Sequence, residues 1–64
     1  MIHVQSKAIT AIGYDPASQR MKITFQQGHT YYFCRVPAQI YEDFMRSASK
    51  GNYYNAKIKD RYQC

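Results

Sequence analysis

Arg20-Met21-Lys22-Ile23-Thr24-Phe25-Gln26 alternates strictly: Met21, Ile23 and Phe25 fall on one face, Arg20, Lys22, Thr24 and Gln26 on the other. That period of two belongs to a half-buried β-strand, and it sets the reading of both neighbours. Downstream, Gln27-Gly28 suits a tight two-residue hairpin, because Gly accepts the positive φ that primed turns require. A further strand from Thr30 to Arg35 then places Tyr31, Phe33 and Arg35 on one face and Tyr32 and Cys34 on the other. Upstream, the β-branched run from Ser6 to Tyr14 ends at Asp15-Pro16-Ala17-Ser18, where Pro fixes φ and Asp bonds the backbone ahead. The three runs predict an antiparallel meander.

Beyond Arg35 the period changes to that of a helix. Val36-Pro37 opens it, since Pro at the first helical position forfeits no hydrogen bond. Ile40, Tyr41, Phe44, Met45 and Ala48 form one apolar stripe, with Gln39, Glu42, Asp43 and Arg46 facing away, so a helix over 37–48 is expected to cover the sheet. Ser49-Lys50-Gly51 is read as its end, with Gly51 in a left-handed cap and Asn52 capping a second, shorter helix. In that helix Tyr54, Ile58 and Tyr62 make a buried edge, and Tyr53, Lys57 and Arg61 line the adjacent stripe. The fold class is α+β: a three-stranded antiparallel meander packed against one amphipathic helix, followed by a short second helix, all one domain over 1–64.

The order of pieces resembles the KTSC domain, a module of about sixty residues found at the C-terminus of some lysyl-tRNA synthetases and as a stand-alone bacterial or phage protein. The matching pieces are Ala11-Ile12-Gly13-Tyr14-Asp15, Phe25 before Gly28, the Tyr-x-Tyr centre, Val36-Pro37, Ala48-Ser49-x-Gly51-x-Tyr53-Tyr54-Asn55, and Ile58-x-x-x-Tyr62. Tyr31-Tyr32-Phe33 keeps the first Tyr of the central motif and replaces the second with Phe. What the resemblance implies about function, by way of the synthetase fusion, is RNA binding.

Composition points the same way. Nine Lys and Arg stand against four acids, for a formal charge of +5, and Arg46, Lys50, Lys57, Lys59 and Arg61 supply five of the nine. Such a surface favours anionic partners, nucleic acid first and then acidic proteins or an anionic membrane surface. The cations interleave with Tyr53, Tyr54 and Tyr62, and rings beside cations are what single-stranded nucleic acid is held by: phosphates neutralised, bases stacked. The same interleaving also suits a helix whose rings face a core and whose basic heads face water. Tyr31 and Phe33 have two readings as well, paired stacking rings on an open sheet face or core beneath the first helix. In the second case Tyr32, beside Lys22 and Thr24 on the other face, is the more exposed ring. The candidate contact residues are Tyr31, Tyr32, Arg46, Lys50, Tyr53, Lys57, Lys59 and Arg61. Ser49-Lys50-Gly51-Asn52 lacks the glycines and spacing of a P-loop.

Other classes find less support. His3, in a terminal segment expected to be loose, and His29, at a turn, do not suggest a metal site or catalytic pair, so neither an enzyme nor a cofactor is expected. Glu42 and Asp43 are adjacent on a helix and point about 100° apart, so they cannot clamp one substrate. Cys34 and Cys64 allow one bridge, but reduced thiols in a cytoplasmic protein are expected, with no signal-peptide pattern and no membrane-spanning run. The competing function is a protein-binding adaptor or phage-borne inhibitor whose basic face docks an acidic surface of a larger machine. Monomer and homodimer are both open.

Overall fold

Four strands form, one more than the alternation announces. β1 (Ile2–His3), β2 (Ile9–Asp15), β3 (Arg20–Phe25) and β4 (Thr30–Phe33) build one antiparallel sheet in chain order, in a computed structural model that describes residues 1–64. The meander is therefore β2-β3-β4, and β1 extends it: Ile2 pairs with Ile12 and His3 with Ala11. His3 is thus held in a strand rather than loose. A two-residue strand carries no readable period, and what seats it is a missing side chain: a Cβ on Gly13 would come within 3.0 Å of Met1 Cγ.

Turns set the register. Asp15 Oδ1 accepts from the Ala17 N–H at 3.0 Å, and Ser18 Oγ donates to Asp15 Oδ2 at 3.0 Å, closing the β2–β3 turn as the sequence requires. The β3–β4 loop is one residue longer than expected. Gly28 N–H donates to Phe25 O at 2.8 Å and Phe25 N–H to His29 O at 2.8 Å, which leaves Gln26-Gln27-Gly28 as a three-residue loop. Gly28, at φ +93°, takes the left-handed position that closes such loops. In β2 a bulge between Ile9 and Ala11 breaks the period of two, so Ile9 and Ile12, three apart, both reach the core at 0% exposure.

The helical layer covers one face of this sheet. α1 (Ala38–Arg46) is shorter than the expected 37–48 at both ends. Pro37 is its N-cap, in extended backbone, and at Ser47 the chain turns extended again while its N–H and hydroxyl both bond Phe44 O. α2 (Lys50–Tyr53) is capped by Ser49, whose hydroxyl accepts from Asn52 N–H at 3.3 Å, so Ser49 takes the role expected of Asn52. Gly51 lies inside α2 rather than in a left-handed cap; there its missing Cβ lets Ala8 approach, at 3.4 Å from where that Cβ would sit.

α2 runs directly into a π-helical turn (Tyr54–Ile58), in which Lys59 N–H donates to Tyr54 O at 2.8 Å. The wider turn brings Ile58 into the core, and Asp60 at φ 63° then reverses the chain. Tyr62 returns to the sheet by accepting from Cys34 N–H at 2.8 Å, and Gln63 bridges to Phe33. Arg61 is therefore off the helix, and the expected row of Tyr53, Lys57 and Arg61 does not form. Cys34 and Cys64 are joined as a disulfide, Cα to Cα 4.8 Å, which overturns the expectation of reduced thiols. The return of the chain at Asp60 brings them together, and spacing alone does not encode that return.

Ile9, Ile12, Met21, Ile23 and Phe33 from the sheet meet Val36, Phe44 and Ile58 in a single core. Phenols frame it: Tyr14 stacks on Tyr41 at 4.6 Å and donates its hydroxyl to Val36 O at 2.7 Å, and Tyr53 stacks on Phe44 at 5.5 Å. No helix is long and apolar enough to cross a membrane. Phe33 and Tyr31 share a face of β4 yet differ in burial, 6% against 52% exposed. Phe33→Ala is expected to cost about 3 kcal/mol or more and Tyr31→Ala below about 1 kcal/mol in urea denaturation. Equal losses would show that both rings are core.

Candidate nucleic-acid interface

The helical layer ends before β4 does. Phe33 is the one β4 ring it buries, capped edge-on by Tyr54 at 6.0 Å. Tyr31, two residues toward the hairpin, lies past this cover; it leans edge-on against Phe25 at 5.5 Å and is 52% exposed. Tyr32 points to the opposite, uncovered face and is 60% exposed. β4 is the last strand of the sheet, so the two rings stand on either side of an open edge. The reading of Tyr31 and Phe33 as a stacking pair fails, because Phe33 is core.

Cations flank both rings. Lys22 pairs with Tyr32 in register and holds its ammonium 5.7 Å from the ring centroid. With Arg20 and the Thr24–Thr30 hydroxyl pair, 3.0 Å apart, it makes the uncovered face polar and basic. On the outer side, Tyr31, Tyr32, Tyr54, Lys59, Gln63 and Cys64 line a shallow groove of roughly 520 Å³ along the edge of β4. Asp60 is the one acid at its rim, where its carboxylate accepts from Gln63 Nε2 at 3.4 Å.

The remaining expected residues separate. Arg46 is exposed on α1 and makes the only ion pair, a 3.9 Å contact with Glu42 that water screens to almost nothing. Lys50 donates to Ser47 O at 2.7 Å and borders a different depression, with Gln5, Lys7, Ser49 and Asn55. Lys57 and Arg61 are exposed without a carboxylate partner and line neither hollow. Tyr53 packs on Phe44 and donates to Ile40 O at 3.3 Å, so its ring belongs to the helical layer. The structure thus brings Tyr31, Tyr32 and Lys59 together, adds Lys22, and disperses the rest. Lys22 was legible only as a neighbour of Tyr32.

The chain belongs to the KTSC domain family: the family model matches residues 5–62. A crystal structure of a KTSC domain protein from Yersinia pestis superposes with a TM-score of 0.94 at 35% identity, covering 97% of this chain and 87% of that one. A protein of Tsukamurella paurometabola is 38% identical over 60 residues, 94% of this chain and 90% of its own length. A lysine–tRNA ligase of Nostoc punctiforme is 27% identical over 63 residues, which span 98% of this chain but 11% of the ligase.

Two phenols of the helical layer hold their protons more tightly than usual. Burial raises the Tyr54 pKa, with smaller contributions from Asp60 and Tyr31; burial likewise raises that of Tyr53, with Asp43 and Tyr62 adding to it. A pKa raised in the folded state stabilises the fold below the unfolded value, about 10, and that contribution is lost as pH rises through the folded value. Denaturation midpoints should therefore hold from neutral pH to about pH 9 and fall above about pH 10. Replacing both Tyr53 and Tyr54 by Phe should flatten that alkaline fall; an unchanged slope would place its origin elsewhere.

Proposed function

We propose that this KTSC domain binds single-stranded nucleic acid, RNA foremost, along the open edge of β4. The observation that carries the reading is the pair of adjacent, more than half-exposed rings, Tyr31 and Tyr32, set between Lys22 and Lys59, neither of which is neutralised by a carboxylate. A base stacks on any π-face and a phosphate is drawn to any unpaired ammonium, so this edge offers both halves of a sequence-tolerant contact. Lys57 and Arg61 add to the field that draws the polyanion in. The lysine–tRNA ligase relative supports the choice of RNA, since a matching segment there belongs to an enzyme that handles tRNA. The same relative supports a cytoplasmic setting, and the proposal includes no catalytic step.

A second reading, an adaptor for an acidic protein, draws on the outer edge of β4 ahead of the Gln63 bridge, where no further strand of the sheet follows and an extended acidic segment can add. Fluorescence anisotropy with a labelled single-stranded RNA separates the two. Tyr31→Ala and Tyr32→Ala should each cost about 1–3 kcal/mol of binding, and Lys22→Glu with Lys59→Glu should abolish it, while Arg46→Ala changes little. The affinity should fall with salt at a slope of about −0.7 per phosphate contact, near −2 for three. No binding at low salt, together with capture of one acidic protein from nuclease-treated lysate, would transfer the edge to the adaptor reading.

A further inference from the structure

The groove beside Tyr31 and Tyr32 has one fixed wall, β4, and one wall made by the returning chain from Lys59 to Cys64. The start of the second wall is fixed without the bridge, since Lys59 N–H donates to Tyr54 O at 2.8 Å and Tyr62 packs against the core; few contacts hold the rest. Arg61 N–H reaches Ile58 O at 3.1 Å, Tyr62 is half-buried and accepts from Cys34 N–H, and Gln63 bridges to Phe33. The covalent tie is Cys34–Cys64, thirty residues apart in sequence. Cys64 is exposed and Cys34 half-buried, so a small thiol has access to the bridge.

We infer that Cys34–Cys64 is a redox latch that sets the nucleic-acid affinity of the β4 edge by holding the far end of the groove's second wall, Gln63 and Cys64, beside Tyr31 and Tyr32. The inference rests on the binding function proposed above. Both rings are already open to solvent with the bridge intact, so the bridge does not mask them; it preorganises the wall opposite. The oxidised protein is the tighter binder. A dithiol reductant opens the latch: its thiolate attacks Cys64 Sγ, the S–S bond breaks, and Cys34 leaves as a thiolate that takes up a proton. The reductant's second thiolate then displaces Cys64, so two electrons and two protons end on the cysteine pair and the reductant becomes a disulfide. Freed, the end of the chain beyond Tyr62 must be ordered anew each time RNA binds, and that ordering is taken from the affinity. A cytoplasmic bridge is ordinarily of this transient, redox-sensing kind.

Two measurements on the same protein test the latch, each with and without dithiothreitol. Amide hydrogen exchange should accelerate on reduction at Cys34, whose N–H donates to Tyr62 O, while β2 and β3 keep their protection. Anisotropy with a labelled oligouridylate should show binding about three- to tenfold weaker after reduction. The Cys34→Ser, Cys64→Ser double variant should match the reduced protein in both conditions. Equal affinity in both redox states, with exchange accelerated, overturns the latch and leaves the binding site standing. Unchanged exchange at Cys34 overturns it as well, because the wall is then held without the bridge. Absence of binding in both states overturns the latch together with the function it serves, and the exchange data still report whether the bridge orders the segment.

Discussion

One layer of helix must cover one face of a four-stranded sheet, and this chain has only enough helix to do so once. Nine residues are buried, eight of them in a single core between the sheet and α1, α2 and the π turn. A unit this small leaves about 40% of its unfolded surface exposed, so each large apolar ring is needed inside. The second face gets no helical cover, and its residues match that fate: Arg20, Lys22, Thr24 and Tyr32 tolerate water, and Gly13 leaves room for Met1 to lie close.

The same shortage shapes the edge. The helical layer reaches Phe33 and stops, and the returning segment adds one bridge at Gln63, so Tyr31 and Tyr32 are left on either side of unpaired backbone. The π turn matters here because it moves Ile58 inward and sends Lys59 toward the groove. An ordinary α-turn at this place would rotate both residues by about 100° and lose one or the other. The local geometry that completes the core therefore also supplies the cation of the candidate site.

Much of the architecture was legible because alternation and helical spacing are periods, and periods survive without tertiary knowledge. Met21, Ile23 and Phe44 were placed in the core on that basis, and the Asp15–Ser18 turn on its chemistry. Misreadings fall where no period exists. β1 is too short to have one, the bulge at Ile9 breaks one, and the π turn imitates helical spacing up to Ile58 and then abandons it. The candidate site was legible only in part for the same reason. Tyr32 beside Lys22 follows from strand register, whereas the exposure of Tyr31 and the enclosure of Tyr53 depend on how far the helical layer reaches, and the nearness of Cys34 to Cys64 on where the chain returns after Asp60.

Membership of the KTSC family fixes the scaffold, and the outer edge of β4 is where recognition is proposed. The most direct measurement is a backbone and side-chain NMR titration with single-stranded RNA at low salt. The account predicts that shifts concentrate on Tyr31, Tyr32, Lys22 and Lys59, with α1 silent. Shifts confined to α1, or to the depression bordered by Lys7 and Asn55, would contradict it.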